Sequence, residues 1–296
     1  MKNLSPTLRA AIWILGSISA FTLMAVSGRE IVSDLDTFEI MLYRSMIGVV
    51  IVLVASKLFG TLGQINTQQM GLHLVRNLTH FIGQNLWFYA LAVIPLSQLF
   101  AFEFSTPIWV ALLAPFFLQE KLTRVRAFCA VLGFIGILFV ARPDTANVSP
   151  HVIAAILCAV GFAGASITTK LLTRTQPITC ILFWLTAMQA VFGLICAGYD
   201  GDIHVPEGWN IVWLFVIGIC GLGAHFCITR ALELAPAIVV TPFDFLRLPL
   251  ISVVAFLLYD EILEWPVVVG AIIVFVANLI NIRTEMKLRK AAKLAI

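Results

Sequence analysis

A few ionisable side chains stand in the middle of long apolar runs, and they are the residues of this chain that could do chemistry. Glu103 lies in Phe102-Glu103-Phe104, just ahead of Thr106-Pro107, while Asp244 and Arg247 lie between Pro242 and Pro249. A charge at the centre of a membrane helix costs about 2.5–3.5 kcal/mol on insertion scales, so each such group needs a partner or a task. Two acids and one base suit the binding of a small molecule that carries both charges, such as an amino acid, its derivative or a similar amphoteric metabolite. Asp244 and Arg247 are three residues apart, share a helix face and can pair with each other. Glu103 has no base on its own helix, so its expected partner is Arg44, His80 or the substrate itself. A carboxylate in that position also suits coupling to protons.

Polar stripes at helical spacing accompany these charges. One runs Arg76, His80, Gln84 with Trp87 continuing the face; another runs His225, Thr229, Glu233. Such a stripe either lines a cavity or packs polar against polar between helices. His80, Gln84 and His225 are therefore candidate substrate contacts, with Arg44. Trp109, together with Trp13, Tyr43 and Trp184, could form aromatic walls for a ring or a cation. Pro107, Pro115, Pro242 and Pro249 each remove a backbone hydrogen bond, which predicts that the two spans carrying the acids are irregular.

These residues need a membrane to position them. The chain has 296 residues, 60% hydrophobic and 12% charged, with a mean hydropathy of +1.00. A soluble domain carries about 25% charged residues. The apolar runs are too long and too uniform for the alternating strands of a barrel, so the fold expected is an all-α integral membrane protein. Ten spans are predicted, at roughly 10–28, 38–57, 73–93, 96–118, 125–142, 150–171, 178–198, 210–232, 236–258 and 264–283. Connections are short, so the whole chain, 1–296, reads as one membrane domain. The tail from Arg283 to Lys293 reads as a helix lying on anionic headgroups.

Shifting the sequence by 141 positions aligns its halves, 1–145 on 146–296. Ala90-Leu91 falls on Ala231-Leu232, Pro95 on Pro236, Phe102-Glu103-Phe104 on Phe243-Asp244-Phe245, Glu120 on Glu261, Leu122 on Leu263 and Arg142 on Arg283. Five spans per half make the second copy enter the membrane upside down, the inverted repeat of secondary transporters. Lys2, Arg9, Lys57, Arg76, Lys121, Arg124, Arg126, Lys170, Arg174, Arg230 and the basic tail fall on one side, and only Arg29 and Arg142 on the other. The positive-inside rule then makes both termini cytoplasmic.

Other functions are disfavoured by what the sequence lacks. There is no phosphate-binding Gly-rich loop, no Gly-x-Ser-x-Gly and no His-Glu-x-x-His, which argues against ATP hydrolysis and against a membrane-embedded enzyme. Cys129, Cys158, Cys180, Cys196, Cys220 and Cys227 sit in or at the edge of apolar runs without the spacing of a metal or redox site. No metal or cofactor is expected, and no nucleic-acid partner. A channel needs a continuous polar path, whereas the polar residues here concentrate near mid-depth. Glu120 and Glu261, at the ends of their spans, are expected to cap the next helix or pair with a neighbouring base.

Two segments carry a family resemblance. One runs from Ala90-Leu-Ala-Val-Ile-Pro95 to Thr106-Pro107 and Leu118-Gln-Glu120-Lys-Leu122; the other from Ala231-Leu-Glu-Leu-Ala-Pro236 to Leu258-Tyr-Asp-Glu261-Ile-Leu263. With the five-plus-five repeat, they resemble the drug/metabolite transporter superfamily, specifically its ten-helix EamA-type branch. Gln119 and Asp260 stand where that family usually has glycine, so the local turn is expected to differ. The resemblance implies an inner-membrane carrier with a central cavity, working by alternating access on amino acids, metabolites or drugs. The leading expectation is a secondary-active transporter of a small polar metabolite, driven by protons or by exchange, as a monomer or homodimer. The alternative is an exporter of hydrophobic cationic drugs.

Overall fold

The structure, a computed structural model, describes residues 6–118, 123–141, 149–199, 201–234 and 246–294. Among the described residues all regular structure is helical. In chain order the helices are α1 (Pro6–Ile31), α2 (Thr37–Leu58), α3 (Met70–Leu91), α4 (Leu96–Glu103), α5 (Thr106–Leu118), α6 (Arg124–Ala141), α7 (Pro150–Leu172), α8 (Ile178–Ala197), α9 (Trp209–Leu234), α10 (Arg247–Tyr259) and α11 (Trp265–Leu294). Seven described stretches are long and apolar enough to cross a membrane, one of them spanning α4 and most of α5; part of α6 and the whole of α10 are shorter apolar helices. The helix α3 is long enough, but His73, Arg76, Asn77, His80 and Gln84 dilute its apolarity, and all five are buried. Leu15, Val50, Phe116, Val131, Leu157, Val191, Phe256 and Ile272 are exposed on other helices. That surface would be intolerable in water and is ordinary against lipid.

Helix starts recur at the sequence offset. Thr37 and Ile178, Thr106 and Arg247, and Arg124 and Trp265 each begin helices 141 residues apart, and α5 and α10 are both 13 residues long. The tail departs from expectation. It is no separate surface helix, because α11 runs unbroken from Trp265 to Leu294. Strong helix formers fill the stretch after Ile282, and neither Gly nor Pro interrupts it.

The described chain falls into two compact units. The first comprises Met1–Thr22, Ile94–Val152 and Gly223–Ile296. Its main contact is α6 against α11, where a Cβ on Gly270 would come within 2.6 Å of the Gly136 carbonyl oxygen. A smaller core of Ala10, Ile14, Ile18 and Ala231 joins α1 to α9. The second unit comprises Leu23–Val93 and Ile153–Leu222. In it α2 packs along α8, with Gly193 against the backbone of Leu42, and α7 meets α3 where Gly161 lies on Gly83. Small residues let these helices approach closely.

Candidate functional site

The break between α4 and α5 starts with Pro107. Proline has no N–H, so the carbonyl of Glu103, four residues earlier, loses its helical donor. The Thr106 hydroxyl donates to that carbonyl instead, at 2.6 Å. The Ser105 hydroxyl donates to the Phe102 carbonyl, also at 2.6 Å. From α11, Asn278 Nδ2 donates to the Phe104 carbonyl at 2.8 Å, and this bond is buried. Every donor comes from protein, which is how an interrupted helix survives away from water. The start of α4 is also held: Glu261 Oε2 accepts from the Leu96 N–H at 2.7 Å. Glu261 thus caps α4. Glu120 lies outside the described residues.

The break exposes one end of Glu103 to Arg247, the first residue of α10. Arg247 Nη1 lies 3.1 Å from Glu103 Oε1, with side-chain exposures of 5% and 18%. The helix dipole disfavours an acid at the C-terminus of α4 and a base at the N-terminus of α10, so each charge offsets the other's placement. Three rings complete the setting. The guanidinium carbon is 4.6 Å from the centroid of Phe21, 4.8 Å from Phe104 and 5.1 Å from Phe100. Arg247 is therefore a partner of Glu103, where Arg44, His80 or the substrate itself was expected. Asp244, the other expected partner of Arg247, lies outside the described residues.

Two more candidates belong to the same unit. His225 is exposed and meets Phe21 edge-to-face at 5.5 Å, so Phe21 touches both the imidazole and the guanidinium. Trp109 Nε1 donates to Ser105 Oγ at 3.2 Å, and its ring packs edge-on to Phe134 at 4.9 Å. It holds the break against α6.

Arg44, His80 and Gln84 belong to the other unit. Arg44 Nη1 donates to Gln84 Oε1. His80 Nδ1 is hydrogen-bonded to the buried Gln189 amide at 2.6 Å. Arg76, His80, Gln84 and Trp87 all face the protein interior, as their shared stripe predicts. The remaining aromatic candidates have structural roles: Trp184 Nε1 donates to the Asn66 carbonyl, Tyr43 to the His204 carbonyl, and Trp13 packs on Phe226. Glu39 is buried and accepts from the His204 backbone at 2.6 Å, tying the acidic 198–210 loop to α2.

Sequence reasoning missed Phe21, Phe100, Gln189 and Asn278. Phe100 sits three residues before Glu103 on the same helix face, and Asn278 is one of two amides, with Asn281, in an apolar span, so both left a signal. Phe21 left none, since nothing in α1 points to Arg247. At Asp260 the expected change of turn does not occur. Asp260 takes φ +53°, the left-handed cap conformation that glycine usually supplies, and the next N–H, that of Glu261, donates to the Ala255 carbonyl at 3.3 Å. Aspartate tolerates that region better than most residues. Gln119 lies outside the described residues.

Long apolar helices, a span broken at Pro107 and a buried ion pair at the break suit a membrane transporter. The chain belongs to the EamA-like transporter family, whose model matches residues 8–142 and again 149–283. The two matched stretches are 141 residues apart at either end. It is 26% identical to an S-adenosylmethionine uptake transporter of Rickettsia felis over 275 residues, 93% of this chain and 92% of that one. It is 33% identical to a riboflavin transporter of Brucella anthropi over 230 residues, covering 75% and 79%. A riboflavin transporter of Vibrio cholerae is 27% identical over 272 residues, 90% of each chain. One solved crystal structure shares the fold at a TM-score of 0.65 with 15% identity, covering 94% of this chain and 98% of that one.

Proposed function

We propose that this protein is a secondary transporter of a small polar metabolite that bears both charges and a flat ring, working by alternating access. The observation that carries the reading is the Glu103–Arg247 pair, desolvated at a helix break and faced by Phe21, Phe100 and Phe104. In this reading Arg247 holds a substrate carboxylate or other anionic group, and Glu103 holds the ammonium or other cationic group. Asp244 is the second acid, and His225 and Trp109 border the site. Arg44, His80 and Gln84, in the other unit, are proposed as further substrate contacts in their own right. The rings suit a heteroaromatic moiety. S-adenosylmethionine and riboflavin, named for relatives, both contain a flat heteroaromatic ring, and the former also carries an α-amino acid. An export role for hydrophobic cations is less favoured, because a bare cation would meet Arg247.

The basic residues on one side support cytoplasmic termini in a bacterial inner membrane. The 141-residue repeat supports ten spans in two inverted halves. Proton coupling through Glu103 or exchange would supply the energy.

The test begins with a thermal-shift screen of purified protein against amino acids, nucleosides, sulfonium compounds, vitamins and cationic drugs. Uptake of the stabilising compound into vesicles is then measured. Glu103→Gln and Arg247→Met should each abolish both stabilisation and uptake while the protein stays monodisperse. Undiminished uptake by both variants would sink the site.

A further inference from the structure

Near the Met70 end of α3, a second buried cluster holds more positive than negative charge. Arg76 is 7% exposed. Its Nε donates to Thr169 Oγ1 at 3.1 Å and its Nη1 to Asn77 Oδ1 at 2.9 Å. Among the described residues, both partners are neutral. A guanidinium has five donors, and a buried charge normally meets an opposite one. Asn77 is itself fixed, since its Nδ2 donates to the Trp184 carbonyl at 2.9 Å. Trp184 is fixed in turn by its bond to the Asn66 carbonyl at 2.7 Å.

His73 lies one turn before Arg76 and Asn77, on the same buried face, with its ring 6.5 Å from that of Trp184. It is 0% exposed, and neither Nδ1 nor Nε2 has a hydrogen-bond partner among the described residues. Every tautomer of imidazole presents at least one N–H, so a buried donor there meets no acceptor among the described residues. Buried polar groups of this kind mark an absent partner. The start of α3 adds the positive end of its dipole. Lys57, Lys170 and Arg174, at the ends of α2 and α7, raise the local concentration of anions.

We propose that Arg76 and His73 form a buried anion site at this end of α3, distinct from the Glu103–Arg247 pair, which takes a carboxylate or a small halide. Asn77 and Thr169 position the guanidinium, and Trp184 walls the site. His73 supplies an N–H, and the unused guanidinium donors supply the rest. The fork geometry of arginine suits a carboxylate held by two parallel bonds.

The test follows thermal unfolding of the full-length purified protein while sodium acetate or sodium bromide is raised at constant ionic strength, balanced with methanesulfonate. Wild type should show a saturable rise of roughly 5 °C. The rise should vanish in Arg76→Gln and shrink in His73→Phe. Saturation with acetate alone assigns the site to carboxylates, including one borne by the substrate; saturation with both assigns it to small free anions. No saturable rise with either salt, or an equal rise in all three proteins, overturns the proposal and leaves a buried water as the occupant. If Arg76→Gln does not fold, a bromide-soaked wild-type crystal decides. An anomalous peak beside Arg76 and His73 supports the site, and water density without anomalous signal overturns it. None of these readouts depends on the transported substrate, so they stand or fall apart from the transport reading.

Discussion

The coupling between Glu103 and Arg247 can be worked from their distance. Unit charges 3.1 Å apart attract by about 5 kcal/mol at an effective dielectric constant of about 20. Desolvation of both groups opposes this, and removing one partner of a buried pair typically costs about 3–5 kcal/mol because the other is stranded. Here Phe21, Phe100 and Phe104 remain around the guanidinium when Glu103 is neutralised. Each such ring contributes about 0.5–2 kcal/mol, so the stranding is partial. A coupling of about 2–3 kcal/mol follows. The perturbation is a double-mutant cycle of Glu103→Gln, Arg247→Met and both together, read by unfolding in detergent. Each single variant should lower the apparent Tm by roughly 5–10 °C. The double variant should be little worse than Arg247→Met alone. Strictly additive losses, with coupling below about 0.5 kcal/mol, would refute the pair and the cation–ring argument built on it.

Two other expectations concern the scaffold. Gly161→Leu should collapse the yield of monodisperse protein, at a cost of about 3 kcal/mol or more, because its Cβ would lie 2.8 Å from the Gly83 Cα and 3.0 Å from the Thr79 carbonyl oxygen. Gly71→Ala, with nothing within 4 Å, should be harmless and serves as the control on the same size-exclusion trace. Asp34, outside the spans, accepts from Asn210 Nδ2 at 2.9 Å, and that bond, then one from Ser33, holds its carboxyl below the ordinary value. A depressed folded value means the contact stabilises above pH 3.8 and is lost as pH falls below it. Proteolytic nicking of the 201–208 loop should therefore rise on acidification through that range in wild type. It should be high and flat with pH in Asn210→Ala; a wild-type profile in that variant would remove the contact from the account.

Much of the architecture was legible because lipid imposes a simple code. Long apolar runs must be helices, so the expected and observed helix ends agree within a few residues over most of the chain. Pro107 announced the break in the fourth span, and Gly161 and Gly136 announced close helix contacts, because each is a local steric fact. The buried face of α3 was equally readable, since Arg76, His80 and Gln84 repeat at helical spacing. The partner of Glu103 was not. Arg44, His80 and Arg247 were all suitable by charge, and charge type carries no distance.

The sequence by itself determined the solvent, the secondary structure, the 141-residue periodicity and the list of charges that need a reason. These follow from composition and from the helical period, which act within a dozen residues. Only the tertiary structure decided that Arg247, 144 positions away, meets Glu103, that Phe21 from α1 covers it, and that Glu261 caps α4. Such contacts depend on how helices remote in the chain pack side by side. Many apolar faces could satisfy the same burial, and the one that forms is chosen by the summed fit of side chains that no single stretch of sequence contains.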